Sequence, residues 1–120
     1  MTQTLTFLQE FNKKTNSKGT LIVDANGLTL YSELPNVDEA KVEKLASMAA
    51  VSDSISSNVI KDLTENSIEI SILVNEKHYI LIKPIEDKYI FLSQYDRNEN
   101  LAGVYDDVNN NFKIITNNLK

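Results

Sequence analysis

One histidine, one arginine and no cysteine leave this 120-residue chain a narrow repertoire of side-chain chemistry. His78 sits between Lys77 and Tyr79 in a β-rich run beside a turn. A catalytic histidine needs a nucleophile and an orienting carboxylate in a recognisable arrangement, and a zinc-type site needs further imidazole or thiolate ligands. Neither pattern surrounds His78, which is read as a partly exposed strand residue. Arg97 falls in the polar stretch Asp96-Arg97-Asn98-Glu99. A lone arginine on a turn could complete a nucleotide hydrolase site on a partner, but a solvated residue between two acidic neighbours explains it without that role. The adjacent carboxylates Glu86-Asp87 and Asp106-Asp107 are expected in a turn and on a helix surface. Neighbouring side chains there point apart into water, so neither pair makes an acid/base dyad. Gly19, Gly27 and Gly103 lie too far apart for a phosphate-cradling loop, and no Walker or dinucleotide fingerprint occurs. The expectation is a chain that is not an enzyme and has no catalytic residues, metal ligands or cofactor.

Composition narrows the partners. A net charge of −5 argues against nucleic acid as a ligand, because the chain as a whole repels phosphate backbones. Lys13, Lys14 and Lys18 form the one close basic group, and at a helix end they complement the dipole more readily than they bind an anion. The absence of cysteine suits a reducing compartment, and no Asn-x-Ser/Thr acceptor occurs, so a cytoplasmic location is expected. Residues 1–14 are amphipathic with no long apolar run, which predicts neither a signal peptide nor direct membrane insertion.

The elements that would position a surface follow from periodicity. Phe7, Leu8 and Phe11 share one helical face, with Thr6 and Gln9 spaced as a capping box, and the helix is expected to end in the polar stretch Asn12 to Lys18. The runs Thr20–Asp24 and Leu28–Ser32 flank Ala25-Asn26-Gly27 and predict a hairpin, the second strand near a sheet edge. Asn36 and Glu39 are spaced to cap a long helix reaching to about Leu63. In that helix Val37, Leu45, Met48, Ile55 and Val59 recur at helical spacing among many alanines and serines. Such small residues allow close approach, either to the chain's own sheet or to another subunit. Three further runs, Ile68–Val74, Lys77–Lys83 and Lys88–Ser93, predict a meander whose last strand, apolar on both faces, is central. A closing helix is expected from about Asn98, with Asp96 and Glu99 able to cap it. It would bury Leu101, Val104, Val108, Phe112, Ile115 and Leu119, with Asn109 to Asn111 a poor helix-forming stretch where fraying or a kink is expected. The length suits one domain spanning residues 1–120, an α/β fold of order α-β-β-α-β-β-β-α with a five-stranded, mostly antiparallel sheet, helices on both faces and the first strand beside the fifth.

The segment Gly19-Thr20-Leu21-Ile22-Val23-Asp24-Ala25-Asn26-Gly27-Leu28 resembles the first hairpin of Roadblock domains of the dynein light chain type. The small-residue helix around Leu45 to Ile55, the meander and the Asn100-Leu101 start of the last helix follow that family's order. Ala102 stands before Gly103, where members often have glycine directly after the Asn-Leu pair, so the start of that helix departs from the pattern. The resemblance implies a homodimer, or a dimer with a paralogue, in which long helices pack together and third strands pair edge to edge. Leu45, Met48, Ala49, Ser52 and Ile55 on the helix and Ile68, Ile70 and Ile72 on the strand would then form the interface. It also implies a noncatalytic scaffold or regulator of a small Ras-like GTPase, or of a trafficking or motor complex. A related layout occurs in profilin-like and sensory small-molecule-binding modules, which would instead need an apolar pocket with convergent polar groups.

Overall fold

Each hairpin in the chain is closed by a side chain or backbone conformation suited to it. The computed structural model describes residues 2–119, with side chains from Phe7 onward. Its elements are α1 (Thr2–Thr15), β1 (Gly19–Asp24), β2 (Thr29–Glu33), α2 (Glu39–Thr64), β3 (Ser71–Val74), β4 (His78–Ile85), β5 (Tyr89–Asp96) and α3 (Leu101–Thr116). The strands form one sheet in the order β2-β1-β5-β4-β3, and every neighbouring pair is antiparallel. The expected element order and the pairing of β1 with β5 are both present. β5 is the central strand, and β2 and β3 are the two edges.

Between β1 and β2, the Asp24 carboxylate accepts from the backbone N–H of Asn26 (2.9 Å) and Leu28 (3.0 Å). Only Gly27 of this turn takes a left-handed φ, 86°. A Cβ there would stand 3.2 Å from the Ser47 Cα, so glycine also lets the turn lie against α2. The β1–β2 register slips between Ile22 and Val23, a bulge that bends this edge. Between β3 and β4, Asn75 Oδ1 accepts from the backbone N–H of Lys77 (2.9 Å) and His78 (2.7 Å). Glu86 and Asp87, between β4 and β5, both adopt left-handed φ (55° and 60°), the mirror-image turn that matches the twist of a hairpin.

The two faces of the sheet carry separate cores. Ile22, Leu81, Phe91 and Tyr95 meet Phe7, Leu8 and Phe11 of α1 and Val104, Val108 and Ile115 of α3. Edge-to-face ring pairs bind this side together: Phe11 with Phe91 at 5.1 Å between centroids and Phe91 with Phe112 at 5.2 Å. On the opposite face Leu21, Val23, Ile82 and Ile90 meet Val42, Ala46 and Ala49 of α2. The small residues of α2 therefore approach the chain's own sheet.

Several boundaries depart from the sequence expectation. α1 continues past Asn12 to Thr15, whose buried hydroxyl donates to the Phe11 carbonyl at 2.8 Å. Thr6 lies within α1 and not at its start, and its proposed capping contact falls outside the described side chains. Asp38, not Asn36, caps α2, its carboxylate accepting from Lys41 N–H at 2.8 Å. Asn36 is in a left-handed turn conformation, so Val37 precedes the helix. β3 begins at Ser71 and not Ile68. Continuing the register from Ser71 opposite Ile82 would set Glu69 opposite Pro84, which has no N–H to give the ladder. Pro84 itself lies inside β4 and not in the turn. β5 runs on to Asp96, and the cap of α3 is Asn100, which accepts from Gly103 N–H at 3.2 Å. The asparagines at 109 to 111 do not interrupt α3.

Candidate functional site

α2 is apolar on two sides, which a helix packed only against its own sheet does not require. Val42, Ala46 and Ala49 take the sheet-facing positions. Met48, Val51, Ile55 and Val59 recur in steps of three and four on the other side, each between 54% and 59% exposed, and Leu63 continues the row at the end of the helix. A groove along this ridge is lined by Met48, Val51 and Ile55 with Ser47, Ser52 and Ser56 between them. Large apolar side chains in such a contiguous row mark an interaction surface more often than scattered exposure does.

The second open feature is β3. It pairs only with β4, so one side of its backbone is free. Leu73, opposite Ile80, and Val74, opposite Tyr79, are both about half exposed. Four residues of apolar strand with a free edge can accept another strand.

The eight residues expected at an interface separate into three groups. Met48 and Ile55 lie on the outward ridge, and Ser52 is half-buried beside them. Ala49 is buried against the sheet, and Leu45 packs half-buried at the edge of the same cluster. Ile70 and Ile72 pack half-buried against the α1/α3 core, while Ile68 lines a cleft beneath the later turns of α2. Val51, Leu63, Leu73 and Val74 were not singled out from sequence. The three-and-four spacing from Met48 through Leu63 was the signal available for the helical ones.

The residues considered for chemistry are dispersed. His78 begins β4 and is half-buried. The Arg97 guanidinium donates to the Asn75 carbonyl at 2.9 Å, tying the turn after β5 to the β3–β4 turn. Glu86 and Asp87 occupy the β4–β5 turn, and Asp106 and Asp107 are exposed on α3. Among the described residues no group of three or more His, Cys, Asp or Glu side chains could hold a metal ion, and no helix is long and apolar enough to cross a membrane.

Three titrating groups stand out electrostatically. Burial pushes the Tyr95 phenol up, keeping it protonated near Thr15 Oγ1 at 3.4 Å. The hydrogen bond from Tyr105 to the Glu69 carboxylate raises the Tyr105 phenol and pins α3 to the segment before β3. Desolvation, followed by repulsion from Asp87, raises the Asp53 carboxyl.

Comparison with known proteins agrees with this architecture. Residues 4–94 match the Roadblock/LC7 domain family. Among solved structures, MglB of Myxococcus xanthus superposes with a TM-score of 0.83 at 18% identity, covering 98% of this chain and 94% of its own. A Roadblock/LC7 domain from Streptomyces avermitilis gives 0.80 at 9% identity, with 94% of each chain covered. A structure described as MglB with tetrameric arrangement gives 0.76 at 15% identity, covering 92% of this chain and 82% of its own. At these identities the likeness is one of fold. No curated protein matches the sequence.

Proposed function

The chain belongs to the Roadblock/LC7 domain family, and from that premise we propose that it is a noncatalytic dimeric platform that holds or regulates a protein partner. The observation that carries this reading is the outward apolar ridge of α2, Met48, Val51, Ile55 and Val59, left uncovered by the chain's own sheet. Residues 1–120 act as one domain in this proposal, and the cysteine-free composition suits work in the cytoplasm. The partner class that fits the family is a small Ras-like GTPase or a larger trafficking or motor assembly. The tetrameric arrangement of the related MglB supports self-association as the mode.

Magnitudes decide how such a dimer must be built. Covering the exposed half of each ridge side chain contributes about 1 kcal/mol, so two ridges supply roughly 8 kcal/mol. Association costs about 4–15 kcal/mol in lost freedom. The ridge alone is marginal, and pairing of the free β3 edges supplies the rest. Of the eight interface positions expected from sequence, Met48, Ser52 and Ile55 remain in this proposal, joined by Val51, Val59, Leu73 and Val74. Ile70 and Ile72 support the core behind the strand, so a charge there tests folding before it tests association.

Light scattering and sedimentation at micromolar concentration test the assembly. The unaltered chain is expected to be a dimer, and Ile55→Lys a folded monomer whose thermal midpoint no longer depends on concentration. A monomeric parent chain, or a dimer indifferent to Ile55→Lys, removes the ridge from the argument. Affinity capture with the purified dimer, with and without added guanine nucleotide, then tests the GTPase assignment separately.

A further inference from the structure

The outward ridge of α2 is bounded by charge at both ends. Lys44, Met48, Val51, Ile55, Val59 and Asp62 follow one another in steps of four, three, four, four and three, the spacing of one helical face. The four apolar members are more than half exposed, and Lys44 and Asp62 are exposed as well. Lys41, one turn before Lys44, repeats the positive charge, and Glu65, the C-cap residue beyond Asp62, repeats the negative one. The face therefore reads basic, apolar, acidic from its N-terminal to its C-terminal end.

The helix itself gives no reason for this order. Its macrodipole favours acidic side chains in the first turns and basic ones in the last, and elsewhere on α2 charges comply: Glu39 and Glu43 stand near the start and Lys61 near the end. On the ridge the signs are reversed. Lys44 has no carboxylate three or four positions away, and Asp62 has no lysine or arginine there, so neither gains an ion pair along the helix. The ion pairs among the described residues are Lys14–Glu10 and Lys18–Asp96, which leaves both without a partner among those residues. Lys41 with Lys44, and Asp62 with Glu65, are like charges three positions apart, which repel. What complements the order is its own reversal. Asp53 stands nine residues from both Lys44 and Asp62, and the apolar run from Met48 to Val59 is centred within one residue of the same point. Charge and ridge share one midpoint.

Resting on the reading of the ridge as a dimer surface, we propose that it docks on the ridge of a second copy with the two helices antiparallel, Lys44 of each chain opposite Asp62 of the other, and that these contacts make the surface selective for self. A twofold axis at the level of Asp53 sets Val51 against Ile55 and brings Met48 beside Val59. The apolar residues interlock while a Lys–Asp pair closes each end, the two ends roughly 27 Å apart along the helix. A parallel pair would place lysine against lysine and aspartate against aspartate. The charges lie at the rim, where they steer encounter and reject wrong partners more than they add affinity, and the apolar side chains supply the attraction. A protein without the reversed pattern leaves at least one end of the ridge without its counter-charge.

The test is a charge-reversal exchange in the full chain, read by sedimentation equilibrium. Lys44→Glu sets two carboxylates together at each end of the paired ridges, and Asp62→Lys sets two ammonium groups together there. Each variant alone is expected to self-associate about tenfold more weakly than the parent, because the twofold repeats each repulsion. An equimolar mixture of the two should associate more tightly than either alone, and so should the double variant carrying both substitutions, since each restores opposite charges at both ends. Added salt should strengthen the association of each single variant and slightly weaken that of the parent. Both substitutions introduce the sign that the helix dipole favours, so circular dichroism of the dilute monomers should give thermal midpoints no lower than the parent's. Single variants that associate as the parent does, or a mixture no tighter than its components, overturns the proposed register; the ridge reading then still stands if Ile55→Lys dissociates the dimer. A parent chain that is monomeric at micromolar concentration, its ridge left to a different protein, or a dimer indifferent to Ile55→Lys, overturns both.

Discussion

The two faces of the sheet are built from different materials. Toward α1 and α3 the interior is aromatic, with Phe7, Phe11, Phe91 and Tyr95 buried and Phe112 stacked edge-on from α3. Toward α2 it is aliphatic and shallow, with alanines at Ala46 and Ala49 and polar side chains beyond. Large interlocking rings fix two helices in place, whereas alanines let a long helix lie close while keeping its larger side chains for elsewhere. The contrast gives the α1/α3 face wholly to the core and leaves α2 with one side on the sheet and an apolar side uncovered, the side that the proposed dimer would use.

The sharpest way to break this contrast is Phe91→Ala, at the centre of the ring cluster. Loss of a buried phenylalanine costs about 3–5 kcal/mol, so chemical denaturation should show a steep fall in stability or outright unfolding. A small effect would mean that the aromatic face is not the main core. A milder probe addresses the α2 face. Ala46→Leu inserts bulk where the helix meets Leu21 and Val23, and overpacking costs about 1–3 kcal/mol. Because the helix would be pushed outward, its dimer should also weaken, a coupled response that Phe91→Ala in a still-folded background should not reproduce at equal stability. The smallest effect is expected at the start of α2. Asp38→Ala removes the cap on Lys41 N–H and should cost about 1 kcal/mol, lowering the thermal midpoint without altering association. If Asp38→Ala dissociated the dimer, the first turn of α2 would have to be part of the interface.

Much of this architecture was legible in the sequence because its signals were local. β5 is apolar on both faces and is central, and Asn26-Gly27 announced a hairpin, which the left-handed Gly27 and the Asp24 carboxylate then close. The association surface was harder to see. Reading α2 by its largest apolar residues finds one row and leaves open whether the helix meets its own sheet or another subunit; in the fold alanines occupy the sheet-facing positions and the larger residues face outward. Ile68, Ile70 and Ile72 looked like one strand face. Ile72 does lie in β3, but Pro84, opposite the expected continuation of the ladder, ends the strand before it reaches Ile70 or Ile68, a constraint written in a different strand. The cleft was not legible at all, since Asp53 gains its character first from burial and then from Asp87, and only the folded chain supplies either.

The bulge between Ile22 and Val23 bears on how large an assembly can grow. A twofold pairing through β3 uses one edge of each sheet and leaves a β2 edge at either end of the joined ten strands. Were the β1–β2 register as regular as that of β3 with β4, every such dimer would offer two sticky ends, and repeated pairing would generate an open fibre in place of a closed particle. The bend in the first hairpin makes the outer edge a poor template. In the proposed dimer it would act as a terminator, leaving the β3 edge to join and the β2 edge to stop.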